Sequence, residues 1–170
     1  ANGCSVERKF VVREPVRLSF SKQNVRCYGE KNGAAEVNIH GGKAPYRVKW
    51  SNGKSGKEIS NLGAGKYYVS VKDSWGYQAI DSVRILQPYT LKLKDSVVNI
   101  GSGREYGRIR LKVEGGIPPY HYLWSTGDTT QNLTGVEDGV YSVSVEDSRG
   151  CRISSDNIFV YREMTDPRDT

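Results

Sequence analysis

The residues with chemistry to offer are few. They are two histidines (His40, His121), three cysteines (Cys4, Cys27, Cys151), and serines and carboxylates placed beside turn-forming glycines. No Cys/His or carboxylate cluster has the spacing of a metal site. Ser51 and Ser125 each follow a tryptophan, but neither lies in the Gly-x-Ser-x-Gly elbow that turns a serine into a nucleophile. With triad and metal signatures absent, the sequence predicts no catalytic residue, no cofactor and no metal. Asp73 and Asp147 each precede a Ser-x-Gly turn. A carboxylate there can meet a cation or ligand, or accept backbone N–H bonds in an Asx turn. Turn geometry alone accounts for Asp and Gly at that spacing, so the turn reading is preferred.

Charge is spread unevenly over the 170 residues, whose formal net charge is +6. Residues 16–88 hold 12 Lys/Arg against 5 Asp/Glu, a balance of +7, whereas residues 89–162 hold 9 of each. Long-range attraction for a polyanion is therefore a property of the first half alone. Trp75 stands in the turn-like Ser74-Trp75-Gly76 and has Arg149 as its counterpart. An exposed indole there stacks on a sugar ring or a neighbouring module; a packed one belongs to its own hairpin.

What positions these residues is a chain that repeats itself. Gly41-Gly42, Pro45-Tyr46, Trp50-Ser51, Gly53, Gly65, Tyr67, Val69-Ser70-Val71, Asp73-Ser74 and Gly76 all recur 74 positions later, from Gly115-Gly116 to Gly150. A shared offset across a whole module means tandem copies of one folding unit. The histidines do not correspond between copies. Tyr77 stands where the second copy has Cys151, and Gly101 where the first has Cys27. Each copy keeps one half of a bridge, so an even disulfide framework is not available. Gly3-Cys4 resembles Gly150-Cys151. Residues 1–15 are accordingly expected to be the terminal strand of a preceding repeat, with repeat 1 at 16–88, repeat 2 at 89–164 and a tail at 165–170.

Within each copy the apolar residues alternate with period two, the mark of strands with one buried face. Such runs include Val16-Leu18-Phe20, Tyr46-Val48-Trp50, Tyr67-Val69-Val71, Ile109-Leu111-Val113, Tyr120-Tyr122-Trp124 and Tyr141-Val143-Val145. Asn32-Gly33, Gly41-Gly42 and Asn52-Gly53 supply turns between them. No segment carries a helical stripe, and none approaches the apolar length of a membrane span. Six or seven short strands per copy predict an all-β chain of two tandem immunoglobulin-like β-sandwiches. Tyr67 and Tyr141 fit a tyrosine corner, and Trp50 and Trp124 fit the central core tryptophan of such sandwiches.

That frame sorts the charges by face. If Tyr46, Val48, Trp50 and Tyr67, Val69, Val71 point inward, then Arg47, Lys49, Tyr68 and Lys72 point to solvent on neighbouring strands. Lys43, Lys54 and Lys66 lie in the adjoining turns. This set is the candidate polyanion-binding face; its plainer reading is an ordinary solubilising surface. The matching residues of the second copy are His121, Leu123, Ser142 and Glu146. Nucleic acid is not expected as a partner, because no recognised nucleic-acid module accompanies the charge.

The string Gly115-Gly116-Ile117-Pro118-Pro119-Tyr120-His121-Tyr122-Leu123-Trp124-Ser125-Thr126-Gly127, then Gly139-Val140-Tyr141-Ser142-Val143-Ser144-Val145-Glu146-Asp147 and Gly150-Cys151, resembles the SprB repeat. The first copy matches with Ala44 in place of the first proline and Tyr77 in place of the cysteine. The resemblance covers about residues 16–162. It implies an extracellular, cell-surface protein of Bacteroidota exported by the type IX secretion machinery; the best-known member is a long, mobile adhesin used in gliding motility. The family's usual intra-repeat disulfide is in doubt here, since its partner cysteines are missing.

The function so implied is a repeat segment of a secreted adhesin that contacts polysaccharide or abiotic and cell surfaces by many weak contacts. Its other partners are neighbouring repeats. A purely structural stalk, and an accessory sugar-binding module of a secreted polysaccharide-processing enzyme, are the alternatives. Ser82, Ser96 and Thr129 lie in Asp-Ser/Thr-apolar or Asp-Thr-Thr triplets that resemble O-glycosylation acceptors in these bacteria. Asn132-Leu133-Thr134 matches the N-glycan sequon, which is uninformative in that setting.

Overall fold

The computed structural model describes residues 14–101 and 103–163. Cys4, most of the expected preceding strand and the tail at 165–170 lie outside the described residues. Every regular element among the described residues is a β-strand. The first six are β1 (Arg17–Gln23), β2 (Gly33–His40), β3 (Arg47–Trp50), β4 (Glu58–Leu62), β5 (Gly65–Lys72) and β6 (Gln78–Ile85). The second six are β7 (Lys92–Val98), β8 (Gly107–Glu114), β9 (Tyr120–Trp124), β10 (Leu133–Val136), β11 (Gly139–Asp147) and β12 (Arg152–Val160). The described residues form two compact units, one of residues 14–24 with Lys31–Leu86, the other of Val25–Glu30 with residues 87–101 and 103–163.

Each unit is an immunoglobulin-like sandwich of two three-stranded antiparallel sheets. The strand orders are β1-β2-β4 and β3-β5-β6 in the first unit, β10-β8-β7 and β12-β11-β9 in the second. Alternation sets the inner faces: β3 reads exposed, buried, exposed, buried, and Val48 and Trp50 are its buried pair. Phe20 from β1 reaches Trp50 from β3, ring centroids 6.3 Å apart, so the two sheets of the first unit close on an aromatic contact. In the second unit Ile109 and Leu111 of β8 and Leu133 of β10 cluster with Trp124, Val143, Val145, Ile158 and Val160 of the facing sheet. Each such aliphatic side chain contributes about 1.5–3 kcal/mol by leaving water.

The residues that the two copies share are largely scaffold. Gly41 and Gly42 have φ of 69° and 66°, and Gly115 and Gly116 of 78° and 62°, a left-handed region that a Cβ disfavours. A Cβ on Gly116 would also sit 2.6 Å from Leu91 Cδ2. The peptide bonds before Pro45 and Pro119 are cis. The next residue closes the loop: the Tyr46 hydroxyl donates to the Gly41 carbonyl at 2.7 Å, and the Tyr120 hydroxyl to Gly115 at 2.6 Å.

Among the described residues Asp73 and Asp147 are the buried charged residues, 5% and 2% exposed. One carboxylate oxygen of Asp147 accepts from the Arg149 and Cys151 amides at 2.8 and 3.0 Å, and the other from Ile117 at 2.9 Å. Asp73 accepts from Trp75, Tyr77 and Lys43 in the same way. Each carboxylate thus makes its Asx turn and also ties that turn to the Gly-Gly loop 30 residues upstream. Three amide donors occupy each anion, which is how a charge is tolerated at that depth.

One expectation is corrected. Cys27 and Cys151, read from sequence as two unmatched halves, form a disulfide with Cα atoms 5.6 Å apart. The segment Val25–Glu30 is part of the second compact unit, not the first. Comparing copies position by position presumed that bridges close within a copy; the fold brings the two halves together from opposite ends of a 124-residue separation.

Candidate functional site

The reactive residues of the sequence are mostly absorbed into structure. The Ser51 and Ser125 hydroxyls accept hydrogen bonds from the Tyr68 and Ser142 amides, both at 3.2 Å, joining the end of β3 to β5 and of β9 to β11. His40 Nε2 lies 3.1 Å from Ser19 Oγ on an exposed strand face. Among the described residues no group of three or more His, Cys, Asp or Glu is arranged to hold a metal ion.

The outward face of β3-β5-β6 is a different matter. Arg47 pairs directly with Lys72 across β3 and β5, and Lys49 with Ser70. On the other flank Lys66 pairs with Arg84, and Tyr68 with Ser82. The outward positions are therefore Arg47, Lys49, Lys66, Tyr68, Ser70, Lys72, Gln78, Ile80, Ser82 and Arg84, five cations and no carboxylate. None of these five cations enters a salt bridge among the described residues. Lys66 Nζ lies 4.9 Å from the Tyr68 ring centroid, a cation–π contact that holds the half-exposed ring beside the charges. A groove of about 450 Å³ along the edge of β3 is lined by Arg47, Lys49 and Lys57 with Tyr46 and Val48.

The sequence-based set changes in membership. Arg47, Lys49, Tyr68 and Lys72 share the face. Lys54 does not join it: its ammonium donates to the Ser60 carbonyl of β4, in the opposite sheet, at 2.6 Å. Lys43 is engaged at the hairpin, its Nζ 5.6 Å from the Trp75 ring. Trp75 is partly exposed at the hairpin tip and carries that lysine. Arg84 was missed, although the inward Val83 and Ile85 on either side signal its direction.

The tyrosine-corner hydroxyls donate upstream, Tyr67 to Gly63 O at 3.1 Å and Tyr141 to Glu137 O at 2.9 Å. Trp50 and Trp124 are 4% and 2% exposed, and their indole N–H groups donate to Gly56 O and Thr130 O. Of the three glycosylation candidates, Ser82 is half-buried within β6 and Ser96 is exposed within β7. Thr129 is exposed in the loop between β9 and β10. Asn132 of the sequon accepts from the Leu111 amide at 3.0 Å, a structural role.

In the second unit some charge is paired, while Lys92, Lys94, Arg108, Arg110 and Lys112 share the outward face of β7-β8 with a single carboxylate, Glu114. Glu146 meets Arg152 at 2.7 Å and Asp138 meets Arg162 at 3.2 Å. Lys112 and Lys94 both close on Glu114, at 3.0 and 3.3 Å, and their hydrogen bonds hold its carboxyl below the usual range. The outward face of β9-β11-β12 presents apolar side chains instead: Leu123 and Val140 are each 57% exposed and Phe159 44%.

The SprB repeat family model matches residues 19–55 and 105–129, a segment in each repeat. No curated protein matches the chain. Among solved structures, the chain aligns with the C-terminal 282-residue fragment of intimin, in complex with the intimin-binding domain of the translocated intimin receptor, at 18% identity and a TM-score of 0.43. That alignment covers 85% of this chain and 63% of the intimin fragment, so the chain spans less than two thirds of that structure.

Proposed function

From the match of a segment in each repeat to the SprB repeat model, we infer that the chain is a non-enzymatic segment of a secreted, cell-surface adhesin whose first repeat gathers acidic polysaccharide. The observation that carries this reading is the outward face of β3-β5-β6, with five cations in no salt bridge among the described residues and no carboxylate, where the matching sheet of the second repeat pairs Glu146 with Arg152. Burial does not require these cations, and solubility alone is served by mixed charge. A single-sign field on a flat sheet attracts a polyanion from a distance and holds it weakly. Many such contacts along one chain or one cell then sum to firm attachment. Export by the type IX machinery, an outer-membrane-anchored parent and a setting in gliding motility are parts of the same proposal, and the SprB repeat supports them.

The test is retention of the 170-residue protein on immobilised polygalacturonate and heparin across a salt gradient. The expected result is binding at low ionic strength that weakens steeply as the Debye length shrinks. It should be lost when Arg47, Lys49 and Lys72 are replaced together by alanine. Absence of retention at low salt, or retention unchanged in the triple variant, ends the polyanion reading and leaves a stalk.

A further inference from the structure

At the position where the first repeat sets Lys66 against Arg84, the second sets Val140 against Phe159. The equivalence is structural, because each pair directly precedes the matching pairs Tyr67 with Val83 and Tyr141 with Ile158. Two residues further along the same side of the chain stands Tyr161, 59% exposed, whose ring is parallel to Phe159 within 6° at a centroid distance of 5.9 Å. The three side chains line a shallow depression of about 850 Å³ whose rim is polar, formed by the Asp138–Arg162 ion pair and Glu163.

The fold does not need these aromatics. The first repeat carries lysine and arginine at the two paired positions with the same strand pairing. Apolar surface left in water is unfavourable, at roughly 25 cal/mol per Å², and an edge strand such as β12 is ordinarily guarded by charge. A protein partner is too large an occupant. A stable interface needs about 800 Å² per side, whereas two aromatics supply about 150–250 Å² each when fully buried. Leu123, the other apolar side chain of this face, pairs with Ser144 on β11, two outward positions beyond Val140.

We propose that Val140, Phe159 and Tyr161 form a binding site for a neutral glycan. Its pyranose rings lay their C–H faces on the aromatic pair, and its hydroxyls reach Asp138, Arg162 and Glu163. The electron-rich ring faces attract the polarised C–H groups of a sugar. Because the contact is apolar and hydrogen-bonded, it is insensitive to salt. The proposal rests on the reading of the chain as a surface-adhesion segment, and it is independent of the cationic face.

The experiment is a proton NMR titration of the full 170-residue protein with cellohexaose, laminarihexaose and chitohexaose, followed at the Phe159 and Tyr161 ring resonances. The expected result is saturable shifts with at least one hexasaccharide, with a Kd of about 1 mM, unchanged by added salt. Phe159→Arg with Tyr161→Leu, which installs the first repeat's residues, should weaken binding at least about tenfold. An unchanged melting temperature in that variant shows that the fold is intact, and Tyr161→Ala alone gives a second reading should it fall. The absence of ring shifts with all three sugars overturns the proposal, as do shifts that survive the substitutions. Either outcome with polyanion retention intact leaves the adhesion reading standing, and loss of polyanion retention alone leaves the glycan site standing.

Discussion

Two sheet faces, built on the same pairing of the same strands, have opposite chemistry. Across β5 and β6, Lys66 faces Arg84; across β11 and β12, Val140 faces Phe159. Behind both faces the inward residues are alike: Val69 and Val71 in one, Val143 and Val145 in the other, all 2% exposed or less. The difference shows that packing specifies only every second residue of a strand, because the pleat sends alternate side chains to opposite sides. Selection on the buried set keeps the sandwich, and the outward set is free to acquire a partner. Shared residues are therefore the wrong place to look for function in this chain, and the differing ones the right place.

The most severe test of a common scaffold is the core tryptophan. Trp50→Ala and Trp124→Ala should each cost about 3–5 kcal/mol in urea denaturation, since both remove a large buried ring and orphan a carbonyl. A cost below about 1 kcal/mol in one copy would break the equivalence. Next comes the feature the copies do not share. Replacing Cys27 and Cys151 by serine should cost about 2–4 kcal/mol. Hydrogen exchange should then rise first in residues 25–30 and around Asp147. An equal rise across β3-β5-β6 would show that the crosslink is not a property of the second unit.

A transplant sharpens the comparison itself. Val140→Lys with Phe159→Arg should alter stability by no more than about 0.5 kcal/mol, as exposed substitutions usually do. It should also raise the salt needed to elute the protein from polygalacturonate. A large loss of stability would mean that the outward set is under packing constraint after all. Smaller still, Tyr67→Phe and Tyr141→Phe should each cost about 1 kcal/mol, one hydrogen bond apiece.

The subtlest effect is a pH dependence in the second repeat. Burial pushes the Tyr141 hydroxyl above its ordinary range, and Glu137 and Asp138 add to it. A raised value means that the fold favours the neutral phenol, so its contribution is whole below the unfolded tyrosine range and is lost as pH rises through the folded value. Ultraviolet titration of Tyr141→Phe should show one late-ionising phenol fewer than the parent, leaving Tyr122, which burial also raises.

Much of this was legible in the chain as written. Alternation at Tyr46-Val48-Trp50 and its 74-residue echo give the strands, the inward core and the outward Arg47 and Lys49, because a period of two has one solution on a pleated sheet. The turn role of Asp73 followed from the Ser-x-Gly beside it, but its bond to the Lys43 amide did not, since contacts across 30 residues leave no local signature. Alternation at Ile158-Val160 turns Phe159 outward, but the residue it meets was not legible. A fixed offset of 74 matches Phe159 to Ile85, a core residue. An irregularity in β12, where Asn157 adopts a φ of 61°, shifts the register by one and places Phe159 against Val140. A one-residue shift moves a side chain to the other face of a sheet.

From its sequence alone this protein is a duplicated all-β unit with an asymmetric charge, because periodicity, glycine-bearing turns and tandem spacing are local or translational properties. Tertiary structure decided the partner of Cys27, the engagement of Lys54 with the Ser60 carbonyl and of Trp75 with Lys43, and the gathering of Val140, Phe159 and Tyr161 around one depression. Those outcomes depend on which distant strands lie side by side and in what register, and chain position does not encode that in any single window.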